Sequence, residues 1–255
     1  MSPPRARPRN AIRLAALLLA VPLLSACGSS VRPQLDVSAA ASLRDAFTRY
    51  GHELRFVTAR FSFAGSDALA AQIEQGIRPD VFASANTQLP QALFAKGLVQ
   101  EPVVFASNRL VLAVPASSHI ATLADAERRG VTLAVGAPTV PVGAYTAKVL
   151  ARLPAARRRV LLADVVDREP DVTGIVGKLS EGAVDAGFLY ATDVRAAAGR
   201  LRAIALPATL QPQVAYAVAI VKDTKHLARA RAFVAGLLHG LGRLELVRSG
   251  FLPPP

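Results

Sequence analysis

Four places in the chain put a small or apolar residue where a strand-like run gives way to a helical one. They are Ser42 in "AAASLRDAF", Ser66 in "SFAGSDALAAQI", Val142 in "VPVGAYTAKVL" and Val172 in "EPDVTGIVGKL". The first turn of a helix has backbone N–H groups with no intrahelical partner, and the macrodipole adds partial positive charge there. Several such ends facing one cleft bind an anion without lysine or arginine, and Ser42 and Ser66 add hydroxyl donors. Taken singly, each junction has an ordinary explanation. A serine before an apolar helix is an N-cap, Pro141 and Gly143 are loop punctuation, and Tyr190 in "DAGFLYATD" is a strand residue with a satisfied hydroxyl.

Other chemistries lack their residues. The four histidines, at 52, 119, 226 and 239, form no HExxH and no close pair. The single cysteine, Cys27, allows no intramolecular disulfide, no cysteine-based zinc cluster and no CxxC pair. There is no GxSxG elbow, no Walker A loop and no GxGxxG after a strand. A hydrolase with Ser42 as nucleophile would need a base that the linear sequence does not place beside it. The expectation is a binding protein with no catalytic residue, no cofactor and no direct protein–metal ligand.

The elements that would position these junctions alternate. "QLDVSA", "LRFVTARFSFA", "DVFASA", "RLVLAVP", "VTLAVGA", "VLLADVV", "DAGFLYA", "LRAIAL" and "VAYAVAIV" read as strands. Helical segments such as "SLRDAFTRYG" and "SDALAAQIEQG" lie between most of them, an α/β pattern with helix-covered sheets. "RLVLAVP" and "QVAYAVAIV" bracket about 100 residues with their own strands and helices, enough for a separate domain. The expected lobes are 35–112 with 217–255, and 113–216. Two crossovers would then flank a cleft of the kind that holds ligands in α/β proteins.

With 255 residues, 52% of them apolar and 19% charged, the chain can bury a substantial core. Residues 1–26 stand apart as an export signal. Arg5, Arg7, Arg9 and Arg13 precede the apolar run "LAALLLAVPLL", which is shorter than the roughly 20 residues a membrane span needs. "LSAC", ending at Cys27, resembles the lipobox of bacterial lipoproteins, which implies an acylated Cys27 as mature N-terminus and residues 27–34 as a tether. Without the signal, the net charge of +12 falls to +8, from 26 basic and 18 acidic residues. The basic residues are scattered, and an exported chain rarely meets nucleic acid, so a solvated surface explains them.

Seven blocks together resemble the periplasmic molybdate-binding proteins of ABC importers. They are "AAASLRDAF", "FSFAGSDALAAQIEQG", "PDVFASAN", "NRLVLAVP", "VPVGAYT", "GAVDAGFLYATD" and "GFLPP", and they span roughly 35–254 in that family's order. The resemblance implies a two-lobed type II periplasmic-binding fold and a site for molybdate or tungstate. In that site Ser42 and Ser66 donate through hydroxyl and backbone N–H groups, Val142 and Val172 through backbone N–H groups, and Tyr190 through its phenol. It also implies a monomer that delivers to an ABC permease and ATPase, held at the extracytoplasmic face of the cell membrane by lipidated Cys27. Two positions depart from the pattern. Val142 replaces a smaller residue, and Asp67 replaces a neutral one. An outward-facing Asp67 would simply favour the start of its helix, whereas one facing the cleft would repel molybdate but accept a proton from hydrogen phosphate, so phosphate or another tetrahedral oxyanion is the alternative ligand.

Overall fold

Strand β1 (Gln34–Ala40) is buried on both faces from Val37 onward, the pattern of a parallel strand covered by helices on either side. The computed structural model describes residues 1–2 and 32–255. In it, β1 lies parallel to β2 (Thr58–Ala64) and β3 (Val81–Ser84), while β10 (Val214–Ile220) runs antiparallel between β3 and β4 (Val103–Asn108). This first sheet has the order β2-β1-β3-β10-β4. The second repeats the plan as β7-β6-β8-β5-β9, built from β5 (Leu110–Pro115), β6 (Leu133–Gly136), β7 (Val165–Glu169), β8 (Ala186–Tyr190) and β9 (Leu201–Ala205). In each sheet the antiparallel strand beside the third parallel one arrives by a crossover.

Helices α1 (Arg44–Glu53), α2 (Ser66–Glu74), α3 (Gln88–Ala95), α8 (Leu227–His239) and α9 (Leu241–Ser249) cover the first sheet. Helices α4 (Pro141–Ala151), α5 (Ala155–Ala163), α6 (Val172–Ser180) and α7 (Ala191–Ala196) belong to the second. Under α1 the core is aromatic. Phe47 meets Phe233 edge-on at 5.7 Å, and the Tyr50 hydroxyl donates to the Phe233 carbonyl at 3.0 Å. No helix among the described residues is long and apolar enough to cross a membrane.

The expected α/β architecture with two sheets is present, with local differences. The lobe boundaries expected at 112/113 and 216/217 fall inside β5 and β10. The sheet change instead occurs at Arg109, between β4 and β5, and in the loop 206–213. β4 and β5 are separated by one residue, so their apolar runs merge in the sequence and β4 is not visible there as a separate strand. "VLLADVV" is not one strand. Its first four residues finish α5, whose helix closes at Asp164, and only Val165 and Val166 are extended. A short apolar run looks the same on the buried face of a helix as in a strand. Residues 1–26 and Cys27 lie, apart from the first two residues, outside the described part of the chain.

One close approach shows how the second sheet aims its helix. Gly143, in the first turn of α4, sits so tightly on the end of β6 that a Cβ there would lie 2.0 Å from the Ala137 carbonyl oxygen and 2.5 Å from that of Gly136. Gly143→Ala is therefore expected to destabilise the protein by about 1–3 kcal/mol, by overpacking against backbone that cannot move aside. Urea unfolding of the two proteins checks this.

Candidate functional site

The parallel strands of both sheets end at one cavity. It has a volume of about 20 Å³ and is lined by Ala40, Ala41, Ser42, Ala64, Gly65, Ser66 and Ala85 from the first sheet's side. Val140, Pro141, Val142, Asp171, Val172 and Tyr190 line it from the second. All five residues singled out from the sequence, Ser42, Ser66, Val142, Val172 and Tyr190, are thus brought together. The volume is below the roughly 300–1,000 Å³ of sites for organic ligands. The lining contains no lysine, arginine or histidine.

The serines do not cap helices. Ser42 lies in a short 3-10 turn (Ala41–Leu43) that leads into α1, and its Oγ is 3.0 Å from the Tyr216 hydroxyl. Ser66 is the first residue of α2, with Gly65 at the cap position. Its Oγ accepts the Ala85 N–H at 3.1 Å, which leaves the hydroxyl proton free to donate elsewhere. On the other side Val142 is the second residue of α4, after Pro141, and Val172 is the first of α6. Their N–H groups are therefore among those a helix start leaves unpaired. The Asp171 carboxylate caps α6 by accepting the Thr173 N–H at 2.7 Å.

Tyr190 ends β8 with its side chain 1% exposed, and its hydroxyl oxygen is buried with no hydrogen-bond partner among the described residues. Burial pushes its acidity well above the usual phenol range, and the neighbouring Tyr216 and Tyr145 act in the same direction, so the hydroxyl keeps its proton. The ring stands edge-on to Tyr216 at 5.7 Å and to Tyr145 at 6.4 Å, forming an aromatic wall behind the cavity.

Three further participants are not among the residues singled out from the linear sequence. Tyr216 orients Ser42 across 174 positions, and no local pattern announces that pairing. Asp171 carries a readable signal, an aspartate just before an apolar helix. Asp193, buried at 7% exposure in the first turn of α7, accepts the Tyr190 N–H at 3.1 Å. Asp67, open in the sequence between an outward and a cleft-facing orientation, faces the second sheet's side. It is not part of the lining, and its Oδ2 accepts a hydrogen bond from the Thr139 hydroxyl at 2.7 Å. For the hydrolase alternative, the hydrogen-bond partner that the described residues offer Ser42 Oγ is a tyrosine, and no histidine lines the cavity.

Residues 35–252 match the model of a family described as bacterial extracellular solute-binding proteins. The chain belongs to that family. The solute-binding protein is 35% identical over 225 residues to the molybdate-binding protein ModA of Mycobacterium tuberculosis, covering 86% of this chain and 84% of the relative. Among solved structures, the substrate-binding domain of a molybdenum ABC transporter from Clostridium difficile, itself described as putative, matches at 26% identity. Its TM-score is 0.67, over 87% of this chain and 99% of that one. The periplasmic molybdate-binding protein of Azotobacter vinelandii superposes with a TM-score of 0.77 at 20% identity, over 87% and 100% of the two chains, a likeness of fold.

Burial raises the Asp193 carboxyl to about 7, against the lowering effect of its bond from the Tyr190 N–H. Between the unfolded carboxylate range and pH 7 the folded state holds a proton that the unfolded chain has lost. This contribution is therefore present at low pH and falls away as pH rises through about 7. Asp193→Asn keeps an acceptor for the Tyr190 N–H but cannot ionise. Its stability relative to the parent is expected to climb between pH 4 and 8, by a total on the order of 2–4 kcal/mol. Chemical denaturation across that range measures it.

Proposed function

We propose that this solute-binding protein captures molybdate, or tungstate, between its two lobes and delivers it to an ABC importer. What supports this reading is one observation. The starts of helices from both sheets, two serine hydroxyls and the buried, unpartnered Tyr190 hydroxyl surround a cavity without any cationic side chain. A fully deprotonated tetrahedral oxyanion offers only acceptors, so a set of neutral donors matches it. The similarity to molybdate-binding relatives agrees.

In the proposed mechanism Ser42 and Ser66 donate from the first lobe, and Val142, Val172 and Tyr190 donate from the second. Ligand bound to one lobe completes its contacts only when the other closes on it, so occupancy shifts the population toward the closed form. Release to a membrane permease reverses this without covalent chemistry. Acylation at Cys27 would keep the protein at the extracytoplasmic face of the membrane, with more than one chain needed for stable anchoring.

Residues 28–255 are expected to gain about 2.7 kcal/mol of stability at a ligand concentration a hundred times the dissociation constant. Thermal denaturation with molybdate, tungstate, sulfate and phosphate tests the choice of ligand. A shift with phosphate and none with molybdate or tungstate overturns it. Tyr190→Phe removes one donor and should weaken molybdate binding by about 1–3 kcal/mol, roughly 5- to 150-fold, by titration calorimetry. Cys27→Ala should move the protein from the membrane fraction to the soluble one after cell fractionation.

A further inference from the structure

The loop before α4 and the start of α2 meet across the cavity. Thr139 follows β6 in the second sheet, and Asp67 is the second residue of α2 in the first. Thr139 Oγ1 donates to Asp67 Oδ2 at 2.7 Å. The same edge is in close contact. A Cβ on Gly65 would lie 2.5 Å from the Pro170 carbonyl oxygen and 3.4 Å from the Val140 side chain, both belonging to the second sheet's side. Asp67 Oδ1 is buried here with no partner among the described residues.

Other side-chain bonds between the two halves lie close to the crossovers. Asn108, the last residue of β4, donates to Thr192 Oγ1 at 2.8 Å, and the N–H of Ala215 in β10 donates to the Tyr145 hydroxyl at 3.4 Å. Those contacts sit where the chain itself joins the halves and need not part when the cleft opens. The bond between Asp67 and Thr139 lies away from both crossovers, and its partners adjoin cavity-lining residues. Ser66 precedes Asp67, and Val140 follows Thr139. This bond therefore exists only while the halves meet over the cavity.

We propose that Asp67 and Thr139 form a latch across the cleft, a pair of positioning residues that governs how long the bound oxyanion is retained. This rests on the oxyanion reading above. A carboxylate beside an anion site opposes the ligand's charge, so the pair holds the lobes together through Thr139 while its charge disfavours the occupied cavity. Retention and release are thereby adjusted by one side chain that does not touch the ligand.

The test uses residues 28–255, with molybdate dissociation followed by stopped-flow tyrosine fluorescence, the chain having four tyrosines and no tryptophan. Thr139→Ala should speed dissociation about 2- to 10-fold, the loss of one hydrogen bond, with little change in the association rate. Thr139→Ser should restore the parent rate. Asp67→Asn keeps an acceptor for Thr139 and removes the charge, so its dissociation should not exceed the parent's. A parent-like rate in Thr139→Ala, or no rescue by serine, overturns the latch and leaves the oxyanion reading intact. A ligand-free arm separates the two ideas. The double variant Asp67→Cys/Thr139→Cys should form an intramolecular disulfide under mild oxidant, seen as a 2 Da loss in mass, about two hydrogens. Failure to form it overturns the latch whatever ligand binds, whereas absence of binding by the parent to all four oxyanions overturns the oxyanion reading alone.

Discussion

On the proposed reading, a cavity that holds an anion with no cation in its wall depends on how closely neutral dipoles approach. A dipole's field falls off faster than a charge's, so N–H and O–H groups stabilise an anion only within hydrogen-bond distance. That requirement explains the residues around the cavity. Ala40, Ala41, Ala64, Gly65 and Ala85 carry little or no side chain, and Val142 and Val172 at the second rim have helix-start N–H groups while their side chains are buried in the core. The apolar surroundings strengthen each donor by excluding water, and they also keep the Tyr190 hydroxyl protonated.

The two sheets meet this requirement with one plan used twice. In each, the carboxyl ends of the parallel strands hand over to helices whose first turns face the cavity, so donors converge from both sides without a specialised loop. Behind them, Tyr145, Tyr190 and Tyr216 form a wall in which every ring has an edge-on neighbour. Ser42 is oriented from this wall by Tyr216. The pairing of β10 with β4 shifts register between Tyr216 and Ala217, at that point of contact.

What could be read in the linear chain divides by contact range. The junctions at Ser42, Ser66, Val142 and Val172 announce themselves because a strand, a small residue and a helix are consecutive, and the alternation of elements foretold helix-covered sheets. Tyr216, Asp193 and Thr139 did not show, because their importance arises from partners that only the folded topology supplies. The N-cap explanation for Ser42 and Ser66 was the natural local one. It gives way because Gly65 holds the cap position of α2 and Ser42 lies inside a 3-10 turn, and the two hydroxyl oxygens face the Ala85 N–H and Tyr216 instead. β4 was hidden by its one-residue separation from β5, and the end of α5 resembled a strand because four apolar residues carry no period of their own.

The position of β10 has a consequence for how the molecule comes into being. It lies inside the first sheet, between β3 and β4, yet it is encoded after the entire second sheet. Until residue 220 has been made, β3 and β4 have no strand to join them, and the first sheet has two unpaired edges at its centre. The amino-terminal half therefore cannot complete its fold during synthesis. In a chain wired in this order the first sheet stays incomplete until the last fifth is available, which suits a polypeptide that must be threaded through a membrane before it folds.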